Sequence, residues 1–314
     1  MRAVLLSEFG PPDRLVPADV PDPVTGPERV LIDVRVAGIT FVETQVRAGR
    51  APNPAMLPRL PAVLGNGVGG TLATGELVVA ATGGLGGYAE RAVASPPWPL
   101  PVPAGVEMAD AVALLADGRT ALALIRAAAV RPGETVLVEA AAGGVGSLLV
   151  QLARTAGARV IGATGGARKA EAAAELGADV VVDYRAQDWA QRVREAGDGL
   201  VDVVFDGVGG EVGQAALGLL GDGGRFCAYG MASGTFTAVS EQEAARRGIR
   251  VLRGVPVTPE QSRALSAEAL AEASLGRLRP LIGQTFPLER AADAHAAIER
   301  RQTIGKTLLI VSGG

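Results

Sequence analysis

The chain predicts an α/β fold: a doubly wound, six-stranded parallel sheet joined to a β-rich module. Three observations predict it. From residue 133 on, six short apolar runs alternate with stretches of helical periodicity, the pattern of strand–helix–strand units. Before about residue 105 the runs are short and broken by Gly and Pro, with no helical spacing between them. Between the first apolar run of the second region and the helix behind it lies a turn of small residues, Ala140-Ala-Ala-Gly-Gly-Val-Gly146.

The β-rich module reads as strands at 3–7, 29–36, 70–73, 77–81 and 88–94, an irregular barrel or sandwich. Residues 96–103, Pro-Pro-Trp-Pro-Leu-Pro-Val-Pro, are extended, and a helix over 109–129 leads out of the module. Strands then follow at 135–139, 159–163, 180–183, 201–206, 224–229 and 249–254, with helices near 145–156, 167–176, 187–196, 210–220 and 240–247. These strands are almost continuously apolar, as strands covered on both faces must be. Beyond Pro256 come a helix at 259–274, a strand at 280–282, a helix at 288–300 and a last strand at 306–311. This tail is too short to build its own core and is expected to return to the first module. The expected domains are therefore 1–118, 119–256 and a return segment 257–314.

A chain of 314 residues can bury two cores. Its net charge is −3, and the basic pairs Arg246-Arg247 and Arg300-Arg301 read as solvated helix ends, so no nucleic-acid partner is expected. The Ala-rich stretch over 109–130 is interrupted by Asp110, Asp117, Arg119 and Arg126, and no run reaches the roughly 18 apolar residues of a membrane span. Met1-Arg-Ala-Val-Leu-Leu6 lacks the long apolar core of a signal peptide, so a cytoplasmic protein with no membrane partner is expected. One cysteine, Cys227, and one histidine, His295, exclude an intrachain disulfide and a Cys/His zinc cluster; both read as packing residues, and no metal is expected. With two Trp, three Tyr and six Phe, aromatic stacking is not the main way a flat substrate would be held.

In the small-residue turn, Ala141, Gly143 and Gly146 trace an A-x-G-x-x-G form of the dinucleotide fingerprint. One small residue permits the tight turn, one the approach of a pyrophosphate, one the packing of helix on strand. The first N–H groups of the helix then face the phosphates. By itself such a turn also fits plain close packing. About 20 residues further on, a site for NAD usually carries a carboxylate for the ribose 2′-OH. Here the second strand runs out through Thr164-Gly-Gly-Ala-Arg-Lys169, with cations where the carboxylate would be. A cation attracts the 2′-phosphate that a carboxylate repels, which favours NADPH. Arg168 and Lys169 also fit two solvated residues in the first turn of a helix.

The whole chain resembles the zinc-independent quinone oxidoreductase branch, which includes zeta-crystallin, of the medium-chain dehydrogenase/reductase superfamily. The resemblance rests on four ordered segments: Val36-Ala-Gly-Ile-Thr-Phe-Val-Glu-Thr-Gln-Val-Arg-Ala-Gly49, Leu64-Gly-Asn-Gly-Val-Gly-Gly70, the turn at 140–146, and Ala291-Ala-Asp-Ala-His-Ala-Ala-Ile-Glu-Arg-Arg-Gln-Thr-Ile-Gly-Lys306. It implies a GroES-like catalytic domain, completed by the C-terminal tail, with a Rossmann domain inserted and the cofactor in the cleft between them. It implies that Ala142, Gly143, Gly144, Val145 and Gly146 face the pyrophosphate, that Gly165, Lys169 and Tyr184 surround the 2′-phosphate, and that Tyr229, Gly230 and Met231 border the nicotinamide. Lys306 falls where the superfamily often has a cation near the phosphates. Tyr184 also fits a half-exposed strand end, and Lys306 a solvated strand entry. A homodimer is implied as well, with the run at 249–254 as the candidate edge strand, although Arg250 and Arg253 equally suit an edge kept from pairing.

The chain also departs from the family. The zinc enzymes carry His-Glu in the segment matching Gly65-Asn-Gly67 and a zinc cysteine near Thr40. Many zinc-free relatives keep an acidic residue at Gly67 and Asn at Thr40, and zeta-crystallin has Tyr at Gln45. None of these is present, and the loop from Gly70 to Leu77 is short. The implied reaction is hydride transfer from NADPH to a small-molecule electron acceptor, a quinone or an enone or enal. A quinone needs no strong acid from the protein, whereas an enone needs a donor to polarise its carbonyl. Thr40, read as a half-buried strand residue, Gln45, and Asn66 are the candidates, with no acid or base assigned. Asn66 also suits the left-handed position of a Gly-Asn-Gly turn. The alternative is an NADPH-binding protein with little turnover.

Overall fold

The computed structural model describes residues 1–311; the last three residues of the expected return segment lie outside the described residues. The chain divides into two compact units. One is Met1–Arg119 together with the stretch from Thr258 on, and the other is Thr120–Val257.

The Thr120–Val257 unit is built on a sheet of six parallel strands among the described residues. In spatial order these are Val180–Asp183, Arg159–Thr164, Thr135–Glu139, Val201–Asp206, Leu220–Ala228 and Arg250–Arg253. In chain order that is 3-2-1-4-5-6, so the direction of winding reverses between Thr135–Glu139 and Val201–Asp206. Phe205 pairs with Val138, which makes Asp206 and Glu139 the next residues out at the carboxyl ends of those two strands. The central strands are buried, with Leu137, Val203, Val204, Phe205 and Phe226 all inaccessible. Two-sided burial favours the β-branched and aliphatic runs seen here. The helices fall within a few residues of expectation, at Gly144–Thr155, Ala167–Glu175, Trp189–Ala196, Gly210–Leu217 and Glu241–Arg246. The fifth strand starts earlier than its apolar run, at Leu220, and passes through solvent at Asp222 and Gly223 before it turns inward at Gly224.

The other unit holds a mixed sheet of seven strands among the described residues. Its centre is Val30–Ile39, which alternates buried and exposed residues at first and then becomes buried on both sides. It pairs antiparallel with Gly67–Thr71 on one side and Lys306–Ile310 on the other. A smaller sheet sets Arg2–Leu6 between Leu15–Asp19 and Ala62–Val63. Leu15–Asp19 carries Pro17 and exposes Val16, so no alternation marked it as a strand. The short strand expected at 280–282 lies at Ile282–Pro287, paired in parallel with the last strand.

Among the described residues, no helix is long and apolar enough to cross a membrane. Met108–Ala128 has the length but carries Asp110, Asp117, Arg119 and Arg126.

Candidate functional site

Register gathers the first site, inside the unit that holds Val30–Ile39. Ile39 pairs with Thr307 and Gly38 with Gly67, so the chain leaving the central strand at Thr40 meets Lys306 on one side and Asn66 on the other. Thr40 is not a strand residue, as the sequence suggested. It is the N-cap of a helix, Phe41–Arg47, and the reason stands three residues on, where Glu43 reaches back to the Thr40 backbone N–H at 2.6 Å. This is one arm of a capping box, and the Thr-x-x-Glu spacing was available in the sequence.

Glu43 is the residue that sequence reasoning missed. It is 5% exposed, yet its carboxyl is fully engaged. Its Oε2 accepts from Thr40 N, from the Thr40 hydroxyl at 3.2 Å and from the Tyr88 hydroxyl at 3.2 Å, while Oε1 accepts the Asn66 backbone N–H at 2.7 Å. Burial raises the Glu43 pKa, opposed by the N–H of Thr40, the charge of Lys306 and the N–H of Asn66. The hydroxyl of Tyr88 also meets His295 Nε2 at 3.1 Å, and the two rings are edge to face, 5.7 Å apart and 87° inclined. His295 is fully buried, and its pKa is pushed down to about 3 by burial and by the nearby Arg47 guanidinium. It is a packing residue with one polar contact, as the sequence suggested.

Three expectations for this site need correction. Lys306 does not enter its strand solvated: it is 4% exposed and its Nζ lies 3.0 Å from Asp117 Oδ1, in the same unit, so its charge serves the floor around Glu43. Gln45 is buried, and one N–H of its amide donates to Thr44 Oγ1 at 3.1 Å. Asn66 is not the left-handed residue of its turn. Gly65 is, with φ +107°, and a Cβ there would lie 2.6 Å from the Tyr88 ring. Only glycine combines that φ with so close a neighbour. The Thr40 hydroxyl is taken by Glu43 and one Gln45 N–H by Thr44, so of the three candidate carbonyl donors Asn66 is the one whose side chain makes no hydrogen bond among the described residues.

The second site lies in the Thr120–Val257 unit, at the carboxyl ends of the parallel strands. After Glu139 the chain turns through Ala140 at φ +47°, and Gly143 donates its N–H back to the Ala140 carbonyl at 2.6 Å. Gly143 is the N-cap of Gly144–Thr155, and no side chain caps that helix. Gly143, Gly144 and Val145 are half-buried, with Ala142 buried beside them. A Cβ on Gly146 would run into the Ala140 carbonyl oxygen, which is the close helix-on-strand packing that the third fingerprint position requires. These residues fit a pyrophosphate: small side chains, and an uncapped set of N–H groups at a twelve-residue helix.

Gly165 and Tyr184 are neighbours, since a Cβ on Gly165 would lie 2.9 Å from the Tyr184 hydroxyl. Lys169 is half-buried in the first turn of Ala167–Glu175, just beyond them. Asp183, beside Tyr184, is neutralised by Arg185, whose Nη2 sits 2.7 Å from Oδ2 and holds the carboxyl below its ordinary range. At the other end of the site Tyr229 and Gly230 both donate backbone N–H to the Asp206 carbonyl, and the Tyr229 hydroxyl donates to the Glu139 carbonyl at 3.1 Å. Met231 follows, half-buried.

Comparisons with known proteins show the family. A family described as zinc-binding dehydrogenase matches residues 176–309. A quinone oxidoreductase of Pseudomonas aeruginosa is 32% identical across 98% of this chain and 99% of its own length. A 2-haloacrylate reductase of a Burkholderia species is 33% identical over 98% of each. Among solved structures, a mycobacterial protein complexed with NADPH superposes with a TM-score of 0.89 and 34% identity, covering 99% of both chains. A fold with two such sites is that of a dinucleotide-dependent oxidoreductase. The chain belongs to the quinone oxidoreductase branch of the medium-chain dehydrogenase/reductase superfamily.

The zinc in the matched family's description does not fit the donors present. The one histidine is buried against Tyr88, and the one cysteine, Cys227, is buried in a strand with its thiol pushed up to about 12. Among the described residues no three His, Cys, Asp or Glu side chains converge as metal ligands.

Proposed function

We propose that this chain transfers a hydride from NADPH to a quinone or an α,β-unsaturated carbonyl compound. The observation that carries the reading is the uncapped helix start at Gly143–Gly146, directly behind the first strand of a 3-2-1-4-5-6 sheet. Bound NADPH supplies the hydride from C4 of its dihydronicotinamide ring. The backbone N–H groups of Gly144, Val145 and Gly146 hold the pyrophosphate, with Ala142 and Gly143 lining the approach. Lys169, with Gly165 and Tyr184, receives the 2′-phosphate, a role supported by the pairing of Asp183, the carboxylate beside Tyr184, with Arg185. Tyr229, Gly230 and Met231 border the nicotinamide side.

For the acceptor, Asn66 is the residue whose amide is left to polarise a carbonyl, and Glu43 fixes where Asn66 and Thr40 stand. A quinone takes its protons from solvent and makes little use of that amide. An enone or an acrylate depends on it, because charge develops on the carbonyl oxygen as hydride reaches the β-carbon. The names of the two curated relatives, quinone oxidoreductase and 2-haloacrylate reductase, cover both acceptor classes. We also propose a homodimer formed through the edge strand Arg250–Arg253, which gel filtration at twice the chain's mass would support and monomer mass would refute.

The test of the reaction is NADPH consumption with 1,4-benzoquinone, 9,10-phenanthrenequinone and a short 2-alkenal. Turnover on at least one is expected. NADPH binding without turnover on any of them would make the chain a binding protein instead.

A further inference from the structure

We infer that Glu139 and Asp206 share a single proton and that this carboxyl pair positions the loops that receive the dinucleotide. The inference rests on the reading above that the Thr120–Val257 unit binds NADPH. The two residues end the strands between which the winding of the sheet reverses, and in open α/β sheets that is where ligands bind. Both carboxyls converge on one donor: the Val208 N–H lies 3.1 Å from Glu139 Oε2 and 3.1 Å from Asp206 Oδ1. Asp206 takes two further donors, the Gly209 N–H at 2.6 Å and the Thr237 hydroxyl at 2.6 Å. Glu139 takes none, and its Oε1 is buried with no partner.

This asymmetry decides where the proton sits. A carboxyl that accepts three hydrogen bonds is well compensated as the anion, whereas one with a single donor and an orphan oxygen is poorly compensated as the anion, so the proton belongs on Glu139. Two anions this close in a dry site are strongly disfavoured. Glu139 and Asp206 are both fully inaccessible, and a Cβ on Gly213 would lie 2.8 Å from Asp206 Oδ2, so the space around the pair is filled. Cations on the adjoining strands are far off along the sheet: Arg159 and Arg225 lie toward the opposite ends, Arg159 beside Asp198 and Arg225 bound to Glu134. Tyr229 donates its phenol O–H to the Glu139 backbone carbonyl, and at the same end of the sheet stand Cys227, paired with Phe205, and Arg253, paired with Ala228. Burial first, and the Asp206 charge second, hold the Glu139 carboxyl well above the ordinary carboxylate range.

The pair joins the three loops assigned to the cofactor. Glu139 leads straight into the turn at 140–146. Asp206 leads into the turn at Val208–Gly210 and takes the backbone N–H groups of Tyr229 and Gly230 on its carbonyl. Thr237 anchors the segment after Met231. Placing a second negative charge here would push the ends of the two strands apart, and with them the pyrophosphate turn and the nicotinamide border. Glu139 is thus a positioning residue.

The experiment compares the wild type with Glu139→Gln and Glu139→Leu, using NADPH fluorescence titration and thermal unfolding of the ligand-free chain from about pH 7 to about pH 9.5. Glu139→Gln keeps the shape and a donor, so at pH 7 its Kd should stay within roughly threefold of the wild type. As the pH rises, wild-type affinity and thermal stability should both fall relative to Glu139→Gln, which has no proton to lose there. Glu139→Leu should bind weakly at every pH, because Val208 and Asp206 lose their neighbour. Parallel pH curves for the wild type and Glu139→Gln would overturn the inference, as would loss of neutral-pH binding in a Glu139→Gln protein that unfolds normally. If the wild type binds no NADPH at any pH, the cofactor reading fails, and the unfolding curves alone still decide whether the proton is shared.

Discussion

Oε1 of Glu43 accepts the backbone N–H of Asn66 at 2.7 Å, across 23 residues of sequence. The other oxygen of the same carboxyl holds the N–H and hydroxyl of Thr40. One buried side chain therefore sets the spacing of two of the three segments that carry the family resemblance in this unit. Glu43→Ala would leave two part-buried backbone donors and the Tyr88 hydroxyl without their acceptor. It should cost about 3 kcal/mol or more, measured by urea unfolding, while Glu43→Gln should cost less because it keeps one carbonyl acceptor.

Asn66 should separate the two acceptor classes. Asn66→Ala is expected to lower kcat/KM for a 2-alkenal by roughly tenfold or more, the scale of one lost donor to a developing oxyanion. The same variant should leave benzoquinone reduction within about twofold. Steady-state rates on both acceptors check this, and an equal loss on both would remove Asn66 from the carbonyl-polarising role.

Two glycines of the second unit should respond differently to one added methyl group. Gly146→Ala drives a Cβ into the Ala140 carbonyl oxygen, which is backbone and cannot move aside, so the pyrophosphate turn itself must shift. Gly165→Ala meets only the far end of the Tyr184 side chain, at 2.9 Å, and a ring rotation relieves it. Thermal unfolding should show Gly146→Ala losing several kcal/mol, on the order of 2–4, and Gly165→Ala losing under about 1.

His295 gives the fold an acid-sensitive component whose sign is fixed. Its pKa falls from an unfolded value of 6.5 to about 3, so the unfolded chain binds the extra proton between those values. The stabilisation from keeping this ring neutral is complete above pH 6.5 and is lost as the pH falls toward 3, at up to roughly 1.4 kcal/mol per pH unit. Glu43 and Glu139 act in the opposite sense, because their pKa values are raised, so the observable is a difference between variants. The stability gap between the wild type and His295→Gln, from urea melts at pH 7, 6 and 5, should shrink as the pH drops. A constant gap would contradict the buried neutral ring.

The sequence made the parallel sheet legible because two-sided burial leaves a simple trace, six apolar runs separated by helices. It left much of the other unit obscure for equally physical reasons. Leu15–Asp19 and Leu100–Pro101 contain proline and too few residues to alternate, and Phe41–Arg47 was hidden because its start lies inside a family motif that reads as strand. The glycine positions of the second site followed from backbone constraints that sequence records directly. The floor around Glu43 did not, since Tyr88, Asp117 and His295 reach it from distant parts of the chain and only register brings them together. Glu43 alone had a local signal, the Thr-x-x-Glu spacing, and it was readable as a cap but not as a junction.

The most direct test of the central claim is a fluorescence titration of the wild type and Lys169→Ala with NADPH and with NADH. The wild type should prefer NADPH, and Lys169→Ala should weaken NADPH alone, by about 1–3 kcal/mol for a charge-assisted phosphate contact. Equal weakening for both cofactors would contradict the assignment of the 2′-phosphate to Lys169. A wild type that binds neither would contradict the account as a whole.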